Sequence, residues 1–242
     1  MLELKKICFR AEDEGVEKTI LDDISFTIPN GKLVAITGPN GGGKSTTARI
    51  IAGIEKPSSG QVLLDGVDIT GLSITERAQA GIGYAFQHPV RFKGIKVRDL
   101  ITLAAGKEIG HSDACEYLSA VGLCARDYVT REVNSSLSGG ELKRIEIATV
   151  LAKASKLSLF DEPEAGIDLW SFQNLIEVFQ RMRDNIEDSS IIIISHQERI
   201  LNIADEIIVM ANGKLQRMGS KEEILPSLLA EDAVRTTCRG IA

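Results

Sequence analysis

Leu33-Val34-Ala35-Ile36-Thr37-Gly38-Pro39-Asn40-Gly41-Gly42-Gly43-Lys44-Ser45 decides how this chain folds. Lys32 to Thr37 reads as a short, wholly buried strand. It runs straight into a glycine-rich loop, and a helix is expected from about Lys44 to Ala52, stopped by Gly53. Glycines let the backbone close around an anion with its amide hydrogens pointing inward, and the helix N-terminus adds its positive end. The pattern G-x-x-x-x-G-K-[ST] in this setting points to phosphate binding. Gly38, Pro39, Asn40, Gly41, Gly42 and Gly43 are the cradle. Lys44 is expected to reach the β- and γ-phosphates of a nucleotide, and the Ser45 hydroxyl to ligate Mg²⁺. Thr46 and Thr47, in the first helical turn, are candidates for further phosphate contacts.

Outward from this stretch, strand-like and helix-like segments alternate, which predicts an α/β fold with a largely parallel sheet. Residues 3–9 and 20–28 read as strands, the second alternating as Ile20, Asp22, Ile24, Phe26, Ile28. From Phe92 to Lys156 the pattern is mostly helical and is broken by Gly94, Gly106, Gly110 and Gly122. Strand and helix alternation then returns: strand 157–161, helix 168–185, strand 190–195, helix 197–203, strand 206–210 and, after the Asn212-Gly213 turn, strand 214–218. The helical middle reads as an insertion into an α/β core. Residues 226–242 show no motif.

Composition narrows the functional classes. The 242 residues carry 28 Lys and Arg against 34 Asp and Glu, a net charge of −6 that argues against a broad nucleic-acid footprint. No run approaches the ~20 apolar residues of a membrane span. The Met1 to Lys6 segment lacks a signal-peptide layout, so a cytoplasmic location is expected. Cys8, Cys115, Cys124 and Cys238 form no C-x-x-C pair and read as reduced thiols.

Two further segments carry chemistry. Leu157-Ser158-Leu159-Phe160-Asp161-Glu162 is a mostly apolar strand ending in two carboxylates. After a phosphate loop, such a strand delivers one acid beside Mg²⁺, here Asp161. The next residue, Glu162, is left as general base toward the attacking water. Leu137-Ser138-Gly139-Gly140-Glu141 opens a helix with apolar positions Leu142, Ile145, Ala148 and Leu151. Ser138 and Glu141 have capping-box spacing. A cap does not call for Gly139-Gly140, which make this a second helix N-terminus suited to an anion.

In these segments the chain resembles the ATP-binding cassette (ABC) ATPase family, and the likeness extends over essentially its whole length. The motifs stand in the family's order: the loop at 38–45, Gln87 after Gly83-Tyr84-Ala85-Phe86, the signature at 137–141, the acidic strand at 157–162, and His196 after Ile191 to Ser195. Ala165-Gly166-Ile167-Asp168 sits where the family has its D-loop. The resemblance implies a P-loop NTPase core with a mainly parallel sheet, an antiparallel β subdomain (core and β subdomain 1–90 and 156–225), an inserted helical subdomain (about 91–155) and a tail (226–242), together one domain. It implies Mg²⁺-dependent hydrolysis of ATP in a head-to-tail dimer with a second copy, in which Ser138, Gly139 and Gly140 of one copy meet the phosphate loop of the other. Gln87 is implied to reach Mg²⁺ and the attacking water, His196 the γ-phosphate, and Asp168 the nucleotide. The family's adenine-stacking ring is absent near residues 14–17, where Val16 is the available base contact. Glu76-Arg77-Ala78, Ala85-Phe86-Gln87-His88-Pro89-Val90 and Lys143-Arg144-Ile145-Glu146-Ile147 are similar to ATPases of the Suf iron–sulfur cluster assembly system. That likeness implies a soluble Suf-type scaffold protein as partner. The alternative is the nucleotide-binding subunit of a transporter, docking on a separate membrane permease, to which Pro163 is similar.

Overall fold

The computed structural model describes residues 1–13, 16–184 and 188–239; for residues 13, 16, 169, 170 and 231–239 it describes the backbone course alone. In chain order the elements are β1 (Leu2–Asp13), β2 (Val16–Ile28), β3 (Leu33–Thr37), α1 (Lys44–Ala52), β4 (Ser59–Leu64), β5 (Val67–Asp68), α2 (Ile74–Gln79) and β6 (Ile82–Ala85). Next come α3 (Val97–Ala105), α4 (His111–Ala120), α5 (Ala125–Tyr128) and α6 (Gly139–Lys153). The chain returns through β7 (Leu157–Asp161), α7 (Leu169–Asp184), β8 (Ser190–Ile194), α8 (Glu198–Ile203), β9 (Glu206–Ala211), β10 (Lys214–Ser220) and α9 (Lys221–Arg239).

Two sheets form. The first, ordered β2-β1-β4-β5, is antiparallel. The second, ordered β10-β9-β3-β8-β7-β6, is parallel except for the edge strand β10. β3 lies inside it, which is why its five residues are all buried and read as a continuous apolar run. Alternate side chains serve opposite layers. Val34, Ile36, Leu157, Leu159, Ile192 and Ile194 pack toward α1 and the antiparallel sheet. Leu33, Ala35, Phe160, Ile191 and Ile193 pack toward the helical side, with residues of α3, α4, α6 and α7.

The predicted elements appear, with longer edges for β1 and β2. The helical middle is the α3 to α6 group. Gly106 ends α3 in the left-handed region at φ 65°, and Gly110 caps the start of α4. Residues 226–239, where the sequence shows no motif, continue α9. Pro226 inside that helix removes a backbone donor and argues against it on propensity. Burial of Ile224 and Leu225, with Leu228 packed beside them, overrides the propensity.

Arg77 fastens the helix that follows the glycine loop. Its guanidinium is buried and donates to the carbonyls of Ile50 and Ile51 at the C-terminal end of α1, and to Thr70 and Leu72. A cation there complements the negative end of the helix. Gly53 makes room for it, since a Cβ at Gly53 would lie 2.9 Å from Arg77 Cδ. Replacing Arg77 by Met removes its bonds to these carbonyls, of which Ile50 keeps the Gly53 amide, at ~1–3 kcal/mol for each left buried and unpaired. Urea denaturation of Arg77→Met is expected to show a loss of about 3–5 kcal/mol.

Candidate functional site: the loop after β3

The loop between β3 and α1 is closed by its glycines. Gly38 has φ +131°, and a Cβ on it would lie 2.0 Å from the Met210 carbonyl oxygen of β9. Gly43, at φ +97°, N-caps α1, and a Cβ there would meet Leu21 Cδ2 at 2.5 Å. Gly42 donates to the Pro39 carbonyl at 3.1 Å and accepts from the Gly213 amide at 3.2 Å. Lys44 folds back over the loop, its Nζ donating to the carbonyls of Gly38 (2.8 Å) and Pro39 (2.9 Å). The cleft outside the loop, about 620 Å³, is lined by Asn40 to Thr46, Gln87, Glu162, Lys18 to Ile20 and Asn212-Gly213.

The acids arrive on the neighbouring strand β7. Asp161 has the parity of Leu157 and Leu159, so it faces α1, and its Oδ1 accepts from Ser45 Oγ at 3.0 Å. Its Oδ2 accepts from the Tyr84 hydroxyl at 3.1 Å. Burial lifts the Asp161 carboxyl above its usual range, against these two hydrogen bonds. Burial also pushes the Tyr84 phenol well up, with Asp161 adding to the effect. The Lys44 ammonium is pushed down by burial, opposed by Glu162 and Asp161. Glu162 breaks the strand at φ 44°, its amide bonded to the Ile194 carbonyl at 3.0 Å. Gln87 Nε2 donates to Glu162 Oε2 at 2.7 Å, so the two residues placed on the attacking water by sequence meet directly.

A polyphosphate and Mg²⁺ fit these residues. The loop's backbone course is one only glycine permits at Gly38 and Gly43, where a Cβ would strike Met210 and Leu21. Ser45 Oγ and Asp161 Oδ1 are hard oxygen donors side by side, the kind Mg²⁺ selects. Burial has left the Asp161 carboxylate disfavoured in a way that a cation relieves.

Other expected site residues lie elsewhere. Thr47 is wholly buried and donates to the Gly43 carbonyl, so it holds α1 and does not line the cleft. His196 borders a second cavity with Thr37, Gly38 and Pro39 and does not line the cleft that holds Glu162. Ser195 Oγ bonds Glu164 at 2.5 Å and accepts the Gln197 amide, tying the turn after β7 to the one that carries His196. Ser138 caps α6 in a complete capping box with Glu141. Tyr128 donates to that Glu141 and, as the main cause, lowers its carboxyl to about 2. Ser138, Gly139 and Gly140 do not line the cleft of their own chain. Asp168 accepts from the amide (3.0 Å) and hydroxyl (2.7 Å) of Ser171 in the first turn of α7. The base contact assigned to Val16 falls outside the described side chains. Tyr84, Lys143, Glu146 and Glu164 were not expected at the site.

Two substitutions separate space from backbone conformation. Gly41 has φ +73° with nothing within 4 Å of a Cβ, so Gly41→Ala is expected to cost ~1–2 kcal/mol of local strain. Gly38→Ala adds a backbone collision with Met210. Thermal unfolding is expected to show a clearly larger drop for Gly38→Ala than for Gly41→Ala.

Residues 21–165 match the family described as ABC transporter. An uncharacterized ABC transporter ATP-binding protein of Methanocaldococcus jannaschii is 38% identical over 215 residues, 86% of this chain and 85% of that protein. The sulfate/thiosulfate import ATP-binding protein CysA of Synechocystis is 36% identical over 210 residues, 85% of this chain. The chain spans 58% of the length of that CysA protein. Among solved structures, a dimeric ATP-binding cassette bound to ADP and Pi superposes with a TM-score of 0.82 at 23% identity, covering 91% of this chain and 99% of that one. A bacterial Atm1-family ABC exporter with ATP bound gives 0.83 at 27% identity, covering 98% of this chain and 42% of that one. The chain belongs to the ABC transporter family, as an ATP-hydrolysing cassette that binds ATP with Mg²⁺.

Proposed function

We propose that this chain is the ATPase subunit of an ABC transporter, working as a pair of copies on a separate membrane permease. The observation that carries the catalytic part is the 2.7 Å contact of Gln87 with Glu162 at the mouth of the glycine cleft. In this reading Gly38 to Gly43, with Thr46, hold the phosphates through backbone amides and hydroxyl, and Lys44 leaves its two loop carbonyls to pair with them. Ser45, Asp161 and Gln87 hold Mg²⁺, which when bound neutralises phosphate charge. Glu162 accepts the proton of the water that attacks the γ-phosphorus as the bond to ADP breaks, and Gln87 orients that water. His196 contacts the γ-phosphate and Asp168 the nucleotide, and the second copy brings Ser138, Gly139 and Gly140. Their position outside their own cleft supports this.

The partner assignment rests on two supports. Relatives are named as transporter ATP-binding proteins, sulfate/thiosulfate import among them. The helical side also presents a groove of about 220 Å³ lined by Tyr84, Phe86, Val90, Phe92, Leu100 and Leu103. Phe86, Val90, Phe92 and Leu103 are exposed, a contiguous apolar patch of the sort that marks a protein interface. The groove would serve either partner; the names of the relatives favour the permease over the Suf-type scaffold to which the sequence pattern pointed. One residue behind that expectation, Glu146, has a use inside the chain: it accepts the Phe86 amide and pairs with Lys143. Among the described residues no helix is long and apolar enough to cross a membrane, consistent with a permease supplied by another chain.

Glu162→Gln is expected to keep ATP binding, lower hydrolysis by about 10²–10⁴-fold and accumulate a nucleotide-bound dimer in size-exclusion chromatography. Hydrolysis at the parental rate would remove Glu162 as base. Lys44→Ala is expected to weaken equilibrium nucleotide binding itself. Affinity purification from detergent-solubilised native cells is expected to recover a multi-spanning membrane protein. Recovery of a soluble β-rich scaffold instead would restore the Suf reading.

A further inference from the structure

Lys143 lies in the second turn of α6 and is completely buried. Its ammonium donates to the backbone carbonyls of Phe86, of Gln87 at 3.5 Å and of Asp161 at 3.3 Å. Glu146, one turn on, stands 3.5 Å from the same ammonium through Oε2. Its Oε1 accepts the Phe86 amide at 2.9 Å. The pair therefore grips both polar groups of Phe86, and Lys143 also holds the peptide that leads into Glu162.

These contacts form a closed ring. From Lys143 it runs through the Gln87 backbone to the Gln87 side chain, across 2.7 Å to the Glu162 carboxylate, back along Glu162 to the Asp161 carbonyl, and to Lys143 again. Glu162 sits at φ 44°, a conformation that a side chain-bearing residue keeps only where its surroundings over-determine it. The Ile194 carbonyl fixes the amide of Glu162, and Lys143 fixes the carbonyl that precedes it. An ammonium carries three donors, and three carbonyls are present here; a neutral hydroxyl could satisfy only one.

We propose that Lys143, with Glu146, is a positioning pair that sets the spacing of Gln87 from Glu162. It acts on backbone and does not touch nucleotide. This rests on the assignment of Gln87 and Glu162 to the attacking water given above. Because α6 begins at the Ser138-Gly139-Gly140 turn, the pair also ties the spacing to the helix that would face the second copy.

The test is a double-mutant cycle on the full chain with Lys143→Met, Gln87→Ala and the combination, measuring kcat and KM for ATP and hydrogen exchange of the 85–90 segment. Lys143→Met is expected to lower kcat by about 10–100-fold with KM for ATP within about twofold. Residues 85–90 should exchange faster, with 44–52 unchanged. The combined variant should be no slower than Gln87→Ala alone by more than about threefold. Multiplying effects would overturn the proposal, since Lys143 would then act apart from Gln87. So would an unchanged kcat or unchanged exchange in Lys143→Met. If the Met variant does not fold, Lys143→Gln, which keeps a donor, enters the same cycle with a smaller expected loss. Failure of the underlying assignment shows separately, as parental activity in Gln87→Ala or Glu162→Gln with Lys143 intact.

Discussion

One row of backbone hydrogen bonds sets the rest of the site. Ala85 of β6 pairs with Phe160 of β7, Phe160 with Ile193 of β8, Ile193 with Ala35 of β3, and Ala35 with Ile207 of β9. Because these strands are parallel, every one of them ends on the same edge. Two residues past the row stand Gln87, Glu162, Ser195 and Thr37, the last opening onto the glycine loop. A parallel sheet places its ligand site at the carboxyl ends of its strands for this reason. No side chain needs to travel far: the strands deliver the loops already side by side, and α1 and α6 approach from the two faces.

That edge concentrates acid in a partly dry space. Asp161, Glu146 and Glu164 are all raised by burial above the usual carboxylate range. Lys143 sits among them and is lowered by burial, with Glu146, Asp161 and Glu164 opposing that shift. Lys44 shows the same opposition at the cleft. Two buried ammonium groups thus stand on either side of β7, one toward the nucleotide cleft and one toward the helical side. The first rests on two loop carbonyls, which in the proposed function it leaves for phosphate. The second is committed to backbone carbonyls and an acid, and it keeps the acidic edge in shape.

The apolar groove is continuous with this arrangement. Phe86 contributes its ring to the groove, its amide to Glu146 and its carbonyl to Lys143, and its neighbour is Gln87. Tyr84, edge-on to Phe86 with ring centroids 4.8 Å apart, lines the same groove and reaches Asp161 with its hydroxyl. Groove and cleft therefore share β6 and the two residues after it. A partner that presses on the groove meets residues whose backbone or hydroxyl already belongs to the catalytic edge.

The sequence by itself determined the strand–loop–helix at 33–52, the acid-ended strand, the capped helix at 138 and the order of the motifs. Each is a local pattern whose physics is complete within about ten residues: glycine where a Cβ collides, apolar runs where a strand is buried on both faces, a Ser and a Glu three apart where a helix starts. It also supplied Gln87 and Glu162 as candidates, without their contact. Only the tertiary structure decided that Thr47 faces the core, that His196 borders a different cavity, and that a proline-bearing tail is helical. It alone gave Arg77, Tyr84, Lys143 and Glu146 their roles. Arg77, Lys143 and Glu146 bind backbone carbonyls and amides of other segments, which carry no residue identity for a sequence pattern to reveal, and Tyr84 meets Asp161 only because β6 and β7 pair.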